Sequence, residues 1–176
     1  MDRQHYYALS FVNTDSKGIV ADTTKVLFDN GFNLADSSST LLQGVFSMIF
    51  IVTNDKDYKE QEIKDMFKNV RSHMEVFKFD KKPEINDNGS HYSISVYGAD
   101  KAGIVHAITD EIAKNNLNII DLQTKITGGS SKVYIMMLEV VSDNENNENI
   151  WQEALKKTAK EINTQINIKK IEFYEL

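Results

Sequence analysis

The 176-residue sequence contains no cysteine, which excludes disulfides, thiolate metal sites and cysteine nucleophiles. It has no apolar run that approaches the ~18 residues of a membrane span. The longest run, Val45–Val52, suits a buried strand. The first residues also lack the long apolar segment of a secretory signal. The sequence therefore predicts a cytoplasmic protein with no secretory signal and no membrane-spanning segment.

Positive charge is scarce as well. The chain has 20 Lys and Arg against 26 Asp and Glu, which gives a net charge of −6 at pH 7. An acidic chain repels phosphates unless its basic residues cluster, and here the lysines are spread through every segment. There is no helix-turn-helix pattern and no basic stripe. We expect no direct contact with nucleic acid.

Signs of metal binding or catalysis are missing too. The four histidines show no metal-ligand spacing, so we predict surface histidines and no metal site. They are His5, His73, His91 and His106, of which His106 alone follows a repeated motif described below. No nucleophile–base pair can be assembled from the sequence. The sequence predicts a protein that is not an enzyme and has no cofactor.

The sequence does contain an internal repeat. Asp-x-x-Gly-Ile-Val occurs at residues 15–20 and again at residues 100–105. An offset of 85 aligns residues 7–44 with residues 92–129, and 11 of these 38 pairs are identical. The single proline, Pro83, lies in a polar segment between the copies, as is typical of a linker. We predict a first unit at 1–80, a linker at 81–90 and a second unit at 91–176.

Each copy predicts the order β-α-β-β-α-β. Tyr7, Leu9 and Phe11 alternate with other residues as in a strand. A helix follows each Gly-Ile-Val, and Gln43-Gly44 marks the tight turn of a hairpin. The resulting fold class is α+β: two ferredoxin-like units, each an antiparallel sheet with helices on one face.

The helices of both copies are amphipathic, and Asp57 with Glu60 is a candidate capping box for the second one. Gly31 is a candidate C-cap of the first helix. The residues expected on the apolar helix faces are Ile19, Thr23, Val26 and Leu27; Ile63, Met66, Phe67 and Val70; Ile104, Ile108 and Ile112; and Ile150, Trp151, Ala154, Leu155, Thr158 and Ile162.

The strand-to-helix corner is the candidate ligand site in each copy. Gly18 and Gly103 let the backbone turn closely. The first helical N–H groups, near Ile19 and Val20 in the first copy, have no intrahelical partners and attract an anion such as a carboxylate.

Two polar positions per copy accompany the corner. Asp15 and Asp100 could cap the helix or receive an ammonium group. Asn33 and Asn118 follow the helix and could either offer an amide to a ligand or serve as turn residues. A carboxylate, an amide and an anion site together fit a free α-amino acid. Asp36 and Asp121, which start the next strand, fit a plain turn or edge role.

These motifs resemble the ACT domain family. The likeness lies in residues 15–20 with 31–36 and in residues 100–105 with 116–121. Two such units resemble the glycine-cleavage-system transcriptional repressor group. The resemblance implies amino-acid binding where the β1–α1 loop of one unit faces a neighbouring unit. It implies ligand contacts at Asp15 and Asn33 and at Asp100 and Asn118. Together with the loop and helix-start residues beside them, the candidate ligand-binding residues are Asp15, Lys17, Gly18, Ile19, Val20 and Asn33, and Asp100, Ala102, Gly103, Ile104, Val105 and Asn118.

Lys17 and Ala102 depart from the proline that the family often has before the glycine, and Lys17 could instead attract a carboxylate. The resemblance implies an amino-acid-sensing regulator, a homodimer, that signals through a protein partner in the transcriptional regulation of amino-acid metabolism. The alternative is a dissociable regulatory subunit of an amino-acid biosynthetic enzyme, which would form a stable hetero-complex.

Overall fold

The computed structural model describes residues 4–70, 72–83, 89–99, 101–127, 132–143 and 147–172. The chain divides into two compact units, unit 1 (Met1–Ile85) and unit 2 (Asn86–Leu176). Residues 84–88 of the expected linker lie outside the described residues. No helix in the described ranges is both long and apolar enough to cross a membrane.

Unit 1 follows the predicted element order, and its four strands form one antiparallel sheet in the order β2-β3-β1-β4. Its elements are β1 (His5–Thr14), α1 (Ile19–Asp29), β2 (Asn33–Leu42), β3 (Val45–Asn54), α2 (Glu60–Met66) and β4 (His73–Phe79). Gln43 and Gly44 both have positive φ, 49° and 83°, which suits the two-residue hairpin turn that joins β2 to β3.

Unit 2 repeats this topology with the sheet order β6-β7-β5-β8. Its elements are β5 (Ser90–Ala99), α3 (Ile104–Lys114), β6 (Asn118–Thr127), β7 (Val133–Ser142), α4 (Glu148–Glu161) and β8 (Thr164–Ile171). Two four-stranded antiparallel sheets with four helices confirm the α+β class and the ferredoxin-like units.

The central strands bury every second side chain, as the alternating pattern predicts. Tyr7, Leu9 and Phe11 of β1 are buried in the core of unit 1. Their counterparts in β5, residues 92, 94 and 96, are buried in the core of unit 2. Because successive side chains of a strand point to opposite faces, this pattern assigns one face of each sheet to the core.

The first helix of each unit ends in the same backbone motif. Gly31 follows α1 with φ 73°, and the Phe32 N–H donates to the Leu27 carbonyl at 2.9 Å. In unit 2 Asn116 has φ 56°, and the N–H of the next residue donates to Ile112 at 3.2 Å. Both are Schellman motifs, in which glycine and asparagine are the residues that accept a left-handed backbone at least cost. Gly31 takes part in ending α1 as predicted, but the C-cap residue is Asn30 and Gly31 is the left-handed residue directly after it.

The proposed capping box of α2 is wrong. The helix begins at Glu60, and the Glu62 carboxylate accepts a hydrogen bond from the Lys59 N–H at 2.7 Å. Asp57 lies two residues before the N-cap Lys59, and its carboxylate pairs with Lys78 of β4. This partner lies on a strand that is distant in sequence, so local spacing did not indicate it.

Most residues expected on the helix faces are buried, with one clear exception in α4. Trp151 is 1% exposed and Leu155 is fully buried, whereas Ile150 is 66% exposed. Ala159 takes the next buried position. The assignment of Ile150 to the apolar face is wrong because the buried stripe runs through residues 151, 155 and 159, and Ile150 lies to one side of it.

The expectation of surface histidines fails for His91. This side chain is 5% exposed, and its Nδ1 lies 2.8 Å from Glu139 Oε1. It is paired across the sheet with Val141 and Ile171, whose apolar side chains are not visible in the spacing of the histidines. The described residues contain no group of three or more His, Asp or Glu side chains that could hold a metal ion.

Replacing Leu155 and Ile150 separately by alanine tests the buried face of α4. We expect Leu155→Ala to lower the free energy of unfolding by about 2–5 kcal/mol, because it leaves a cavity in the core. Ile150→Ala should stay within about 0.5 kcal/mol of the parent protein. Urea denaturation followed by the fluorescence of Trp151, the single tryptophan, reports on unit 2 directly. Equal effects of the two substitutions would contradict the assignment.

Asp57 lies in a charged cluster with Lys78 and His5, whose Nδ1 is 3.8 Å from the Asp57 carboxylate. The hydrogen bond from Lys78 lowers the pKa of Asp57, and the same bond raises the pKa of Lys78. Because the pKa of Asp57 is lower in the folded state, the pair stabilises the fold above the ordinary carboxyl pKa. That contribution disappears as the pH falls through the lowered pKa of the folded state.

The variant Lys78→Met should therefore raise the pKa of Asp57 towards its ordinary value. The measurement is an NMR titration of the aspartate side-chain carboxyl resonances. Lys81→Met is a suitable control, since Lys81 does not contribute to the pKa of Asp57. An Asp57 titration that is the same in the parent protein and in Lys78→Met would rule out this pairing.

Candidate functional site

Both strand-to-helix corners have the same backbone geometry. Gly18 and Gly103 precede the helices with φ 90° and 94°, in the left-handed region that favours glycine. The carbonyl of each glycine accepts the first helical hydrogen bond, from Asp22 N–H and Ala107 N–H, both at 2.9 Å. Neither glycine has a side chain to cap the helix. The first N–H groups of α1 and α3 thus start without a capping side chain, as an anion site requires.

Asp15 does not cap α1. Gly18 is the N-cap residue, and the exposed Asp15 contributes its backbone N–H to the Gly44 carbonyl at 2.9 Å. Its carboxylate is left available at the surface. Asp100, the counterpart in unit 2, lies outside the described residues.

The other corner residues divide into core and surface positions. Ile19 and Ile104 are buried, so their backbone N–H groups rather than their side chains are available to an anion at the corner. Val20 and Val105 are partly exposed next to them. Lys17 and Ala102, the residues before the glycines, are exposed in both corners.

The structure does not bring the asparagines to the corner of their own unit. Asn33 pairs with Thr53 near one end of β3, whereas the corner follows Thr14, which pairs with Val45 at the other end. The eleven-residue α1 runs between them, a length of about 16 Å. Asn118 is placed in the same way in unit 2. Within one unit, the carboxylate and the amide proposed from the sequence cannot share one ligand.

Asn33 and Asn118 are exposed strand residues rather than turn residues, since the left-handed backbone falls two positions earlier in each unit. They begin the edge strands β2 and β6. Each edge strand then has a β-bulge, at Leu34/Asp36 and at Ile119/Asp121. The edge role expected for Asp36 and Asp121 agrees with this placement.

A cavity of about 410 Å³ lies beside the corner of unit 1, and the sequence did not predict it. One wall is α1, and the other is the loop between α2 and β4. Its polar lining comprises Asn13, Ser16, Asp22, Lys25 and Asn69, and its apolar lining comprises Ile19, Val26 and Val70. Of the predicted ligand residues, only Ile19 contributes.

The length of the second helix explains why this cavity forms in unit 1. α2 has seven residues, and the chain turns back to β4 soon after Met66. α4 has fourteen residues and continues alongside α3, where the Thr158 hydroxyl donates to the Glu111 carboxylate at 3.4 Å. Asp22 and Lys25 are one turn apart on α1, which is a signal in the sequence, but the opposite wall comes from residues over 40 positions away.

The two charged residues of the cavity differ in their pairing. Lys25 Nζ lies 2.5 Å from the Asp29 carboxylate, and both side chains are largely exposed. Asp22 has no ion pair with another described residue. The cavity therefore presents a carboxylate that makes no ion pair with another described residue.

Comparison with known proteins supports the fold and finds one family that matches part of the chain. The family model of the ACT domain matches residues 92–156. A UPF0237 protein of Methanococcus maripaludis is 36% identical over 58 residues, which cover 31% of this chain and 64% of that protein, just under two thirds of its length.

Two solved structures cover nearly the whole chain. A protein of unknown function from Galdieria sulphuraria superposes with a TM-score of 0.82 at 22% identity, over 96% of this chain and 99% of that one. A candidate glycine cleavage system transcriptional repressor superposes with a TM-score of 0.69 at 14% identity, over 97% and 99%. At these identities the likeness establishes the fold alone.

The two βαββαβ units in tandem, with the same glycine corner in each, define the class of protein. Unit 2 matches the ACT domain family over residues 92–156, and unit 1 repeats the same βαββαβ fold, so the chain is similar to tandem ACT-domain proteins. ACT domains are regulatory modules.

Gly103 offers a clean test of the corner geometry, because a Cβ at this position would meet nothing within 4 Å. Gly103→Ala should lower the free energy of unfolding by about 1–2 kcal/mol through the left-handed backbone alone. Gly103→Asn should cost less, since asparagine tolerates this region better. The measurement is urea denaturation followed by Trp151 fluorescence. A Gly103→Ala variant as stable as the parent protein would contradict the left-handed conformation.

Proposed function

We propose that this protein is a non-enzymatic amino-acid-sensing regulator that binds a small amino acid at its β1–α1 corners and signals through a protein partner. The observation that carries the proposal is the repeated corner. In both ACT units a left-handed glycine begins a helix whose first N–H groups have no capping side chain. Its role would lie in the transcriptional regulation of amino-acid metabolism.

The corner suits the carboxylate of an amino acid. Uncapped N–H groups point out of the helix start, and the helix dipole adds partial positive charge there. Lys17 precedes the glycine in unit 1 and adds a full positive charge nearby. The exposed carboxylate of Asp15 is available for an ammonium group close to the same turn.

The amide of the site would come from another unit. Since α1 separates Asn33 from the corner of its own unit by about 16 Å, we propose that each ligand lies between the corner of one ACT unit and the edge-strand asparagine of a neighbouring unit. The neighbour could be the second unit of the same chain or a unit of a second copy, which is consistent with a homodimer. A ligand held in this way would favour one arrangement of the units over another.

The preference of the ligand for one arrangement of the units would be the basis of signalling. A ligand shifts an equilibrium only by as much as its affinities for the two arrangements differ. A site shared between two units meets this condition, because its contacts exist only when the units are correctly placed. The partner that reads the arrangement should be a protein, since the net charge of −6 opposes direct binding to nucleic acid.

Isothermal titration calorimetry of the full chain with each of the twenty standard amino acids tests this function. We expect binding of at least one of them. Asn118→Ala and Asp100→Ala should weaken that binding while costing less than about 2 kcal/mol of stability. Asn167→Ala, an exposed asparagine on β8, is the matched control.

Failure of all twenty amino acids to bind would refute the proposed function. Unchanged affinity in both Asn118→Ala and Asp100→Ala would leave amino-acid sensing in place but reject these residues as the site.

A further inference from the structure

The cavity of unit 1 has the chemistry of a second ligand site that is separate from the asparagine edge. Asp22 and Lys25 both line it, three residues apart on α1. Residues at this spacing are neighbours on a helix surface, with Cβ atoms about 5–6 Å apart. The cavity therefore presents a negative and a positive group side by side, next to the apolar side chains of Val26 and Val70.

The negative group is the one that is open to a ligand. Asp22 makes no ion pair with another described residue, so an incoming ammonium group would not have to displace a protein cation. Lys25 is held by Asp29 at 2.5 Å, but both side chains are exposed, with relative accessibilities of 70% and 50%. Exposed pairs of this kind contribute little, so a ligand carboxylate can compete for Lys25.

Unit 2 does not have this pair of a carboxylate and an ammonium group at the equivalent positions. Ala107 replaces Asp22, which removes the acceptor for an ammonium group. Asp110 replaces Lys25 and reverses the charge, and it is already paired with Lys114 at 2.7 Å. Glu111 replaces Val26 and receives a hydrogen bond from Thr158 of the long helix α4. The two units thus share the corner but differ in the helix face beside it.

We propose that the cavity between α1 and the loop after α2 binds one α-amino acid by both of its charged ends, with the ammonium group on Asp22 and the carboxylate on Lys25, and that α3 of unit 2 has no such site. This inference rests on the proposed amino-acid-sensing function and gives it an asymmetry. One cavity ligand binds per chain, and it binds in unit 1. Its apolar part contacts Val26 and Val70.

The test combines calorimetry and NMR on the full chain, with the twenty standard amino acids as probes. For the amino acid that binds, we expect chemical-shift changes at the backbone amides of Lys25 and Asn69, which line the cavity, and none at Asp110, the unit 2 counterpart of Lys25. Asp22→Asn, which keeps the shape and removes the charge, should weaken binding roughly tenfold or more. Asp110→Asn in unit 2 is the matched control and should bind as the parent protein does.

The ligand itself supplies a second control. The N-acetyl derivative of the same amino acid lacks the ammonium group and should not shift the amide of Asp22. Asp22 is exposed, so its substitution should leave the circular dichroism spectrum of the protein unchanged.

The outcomes separate the two proposals. If an amino acid binds and Asp22→Asn has parental affinity, or the shifts appear at Asp110 and not at Lys25 and Asn69, the cavity assignment is overturned and the sensing function stands. If none of the twenty amino acids binds the parent protein, both fall together. If binding is lost equally in Asp22→Asn and Asp110→Asn, the asymmetry between the units is rejected.

Discussion

The turn from the first strand into the first helix is the constraint on which each unit depends. The chain has to leave the sheet and start a helix within four residues after Thr14, and it does so through a left-handed glycine. This turn places Ile19, the first helical residue, in the core, and Ile104 takes the same place in unit 2. The same turn leaves the helix start without a capping side chain. Core packing and the proposed anion binding therefore depend on the same turn, which Asp-x-x-Gly-Ile-Val provides once in each unit.

That constraint also limits what one unit can bind. The eleven-residue α1 carries the chain to the opposite end of the sheet before β2 begins. Asn33, the first residue of β2, therefore lies at the end of the sheet that is far from the corner. Under the proposed function, a single unit would offer a carboxylate site without an amide beside it, and a neighbouring unit would have to supply the amide. A site that is incomplete in one unit would couple ligand binding to the placement of units.

The sequence predicted the features that depend on local chemistry. The element order, the buried alternation in β1 and the turn at Gln43-Gly44 all follow from periodicity and turn preferences over a few residues. The features that it missed depend on contacts between distant segments: Asp57 pairs with Lys78 of β4, and His91 lies between Val141 and Ile171 on the neighbouring strands. The cavity was missed for the same reason, since one wall comes from α1 and the other from the loop after α2.

Duplication explains why the two units can differ where they do. Changes that alter the corner would expose a core isoleucine or strain the backbone, so both copies keep it. The outer face of the first helix carries no such requirement, because Asp22 and Lys25 are exposed and stabilise little by themselves. In unit 2 the fourteen-residue α4 runs beside α3, where Glu111 accepts a hydrogen bond from Thr158, and Asp110 pairs with Lys114 on α3 itself. In unit 1 the seven-residue α2 leaves the corresponding face of α1 open beside the cavity, and the Asp22 carboxylate there makes no ion pair with another described residue.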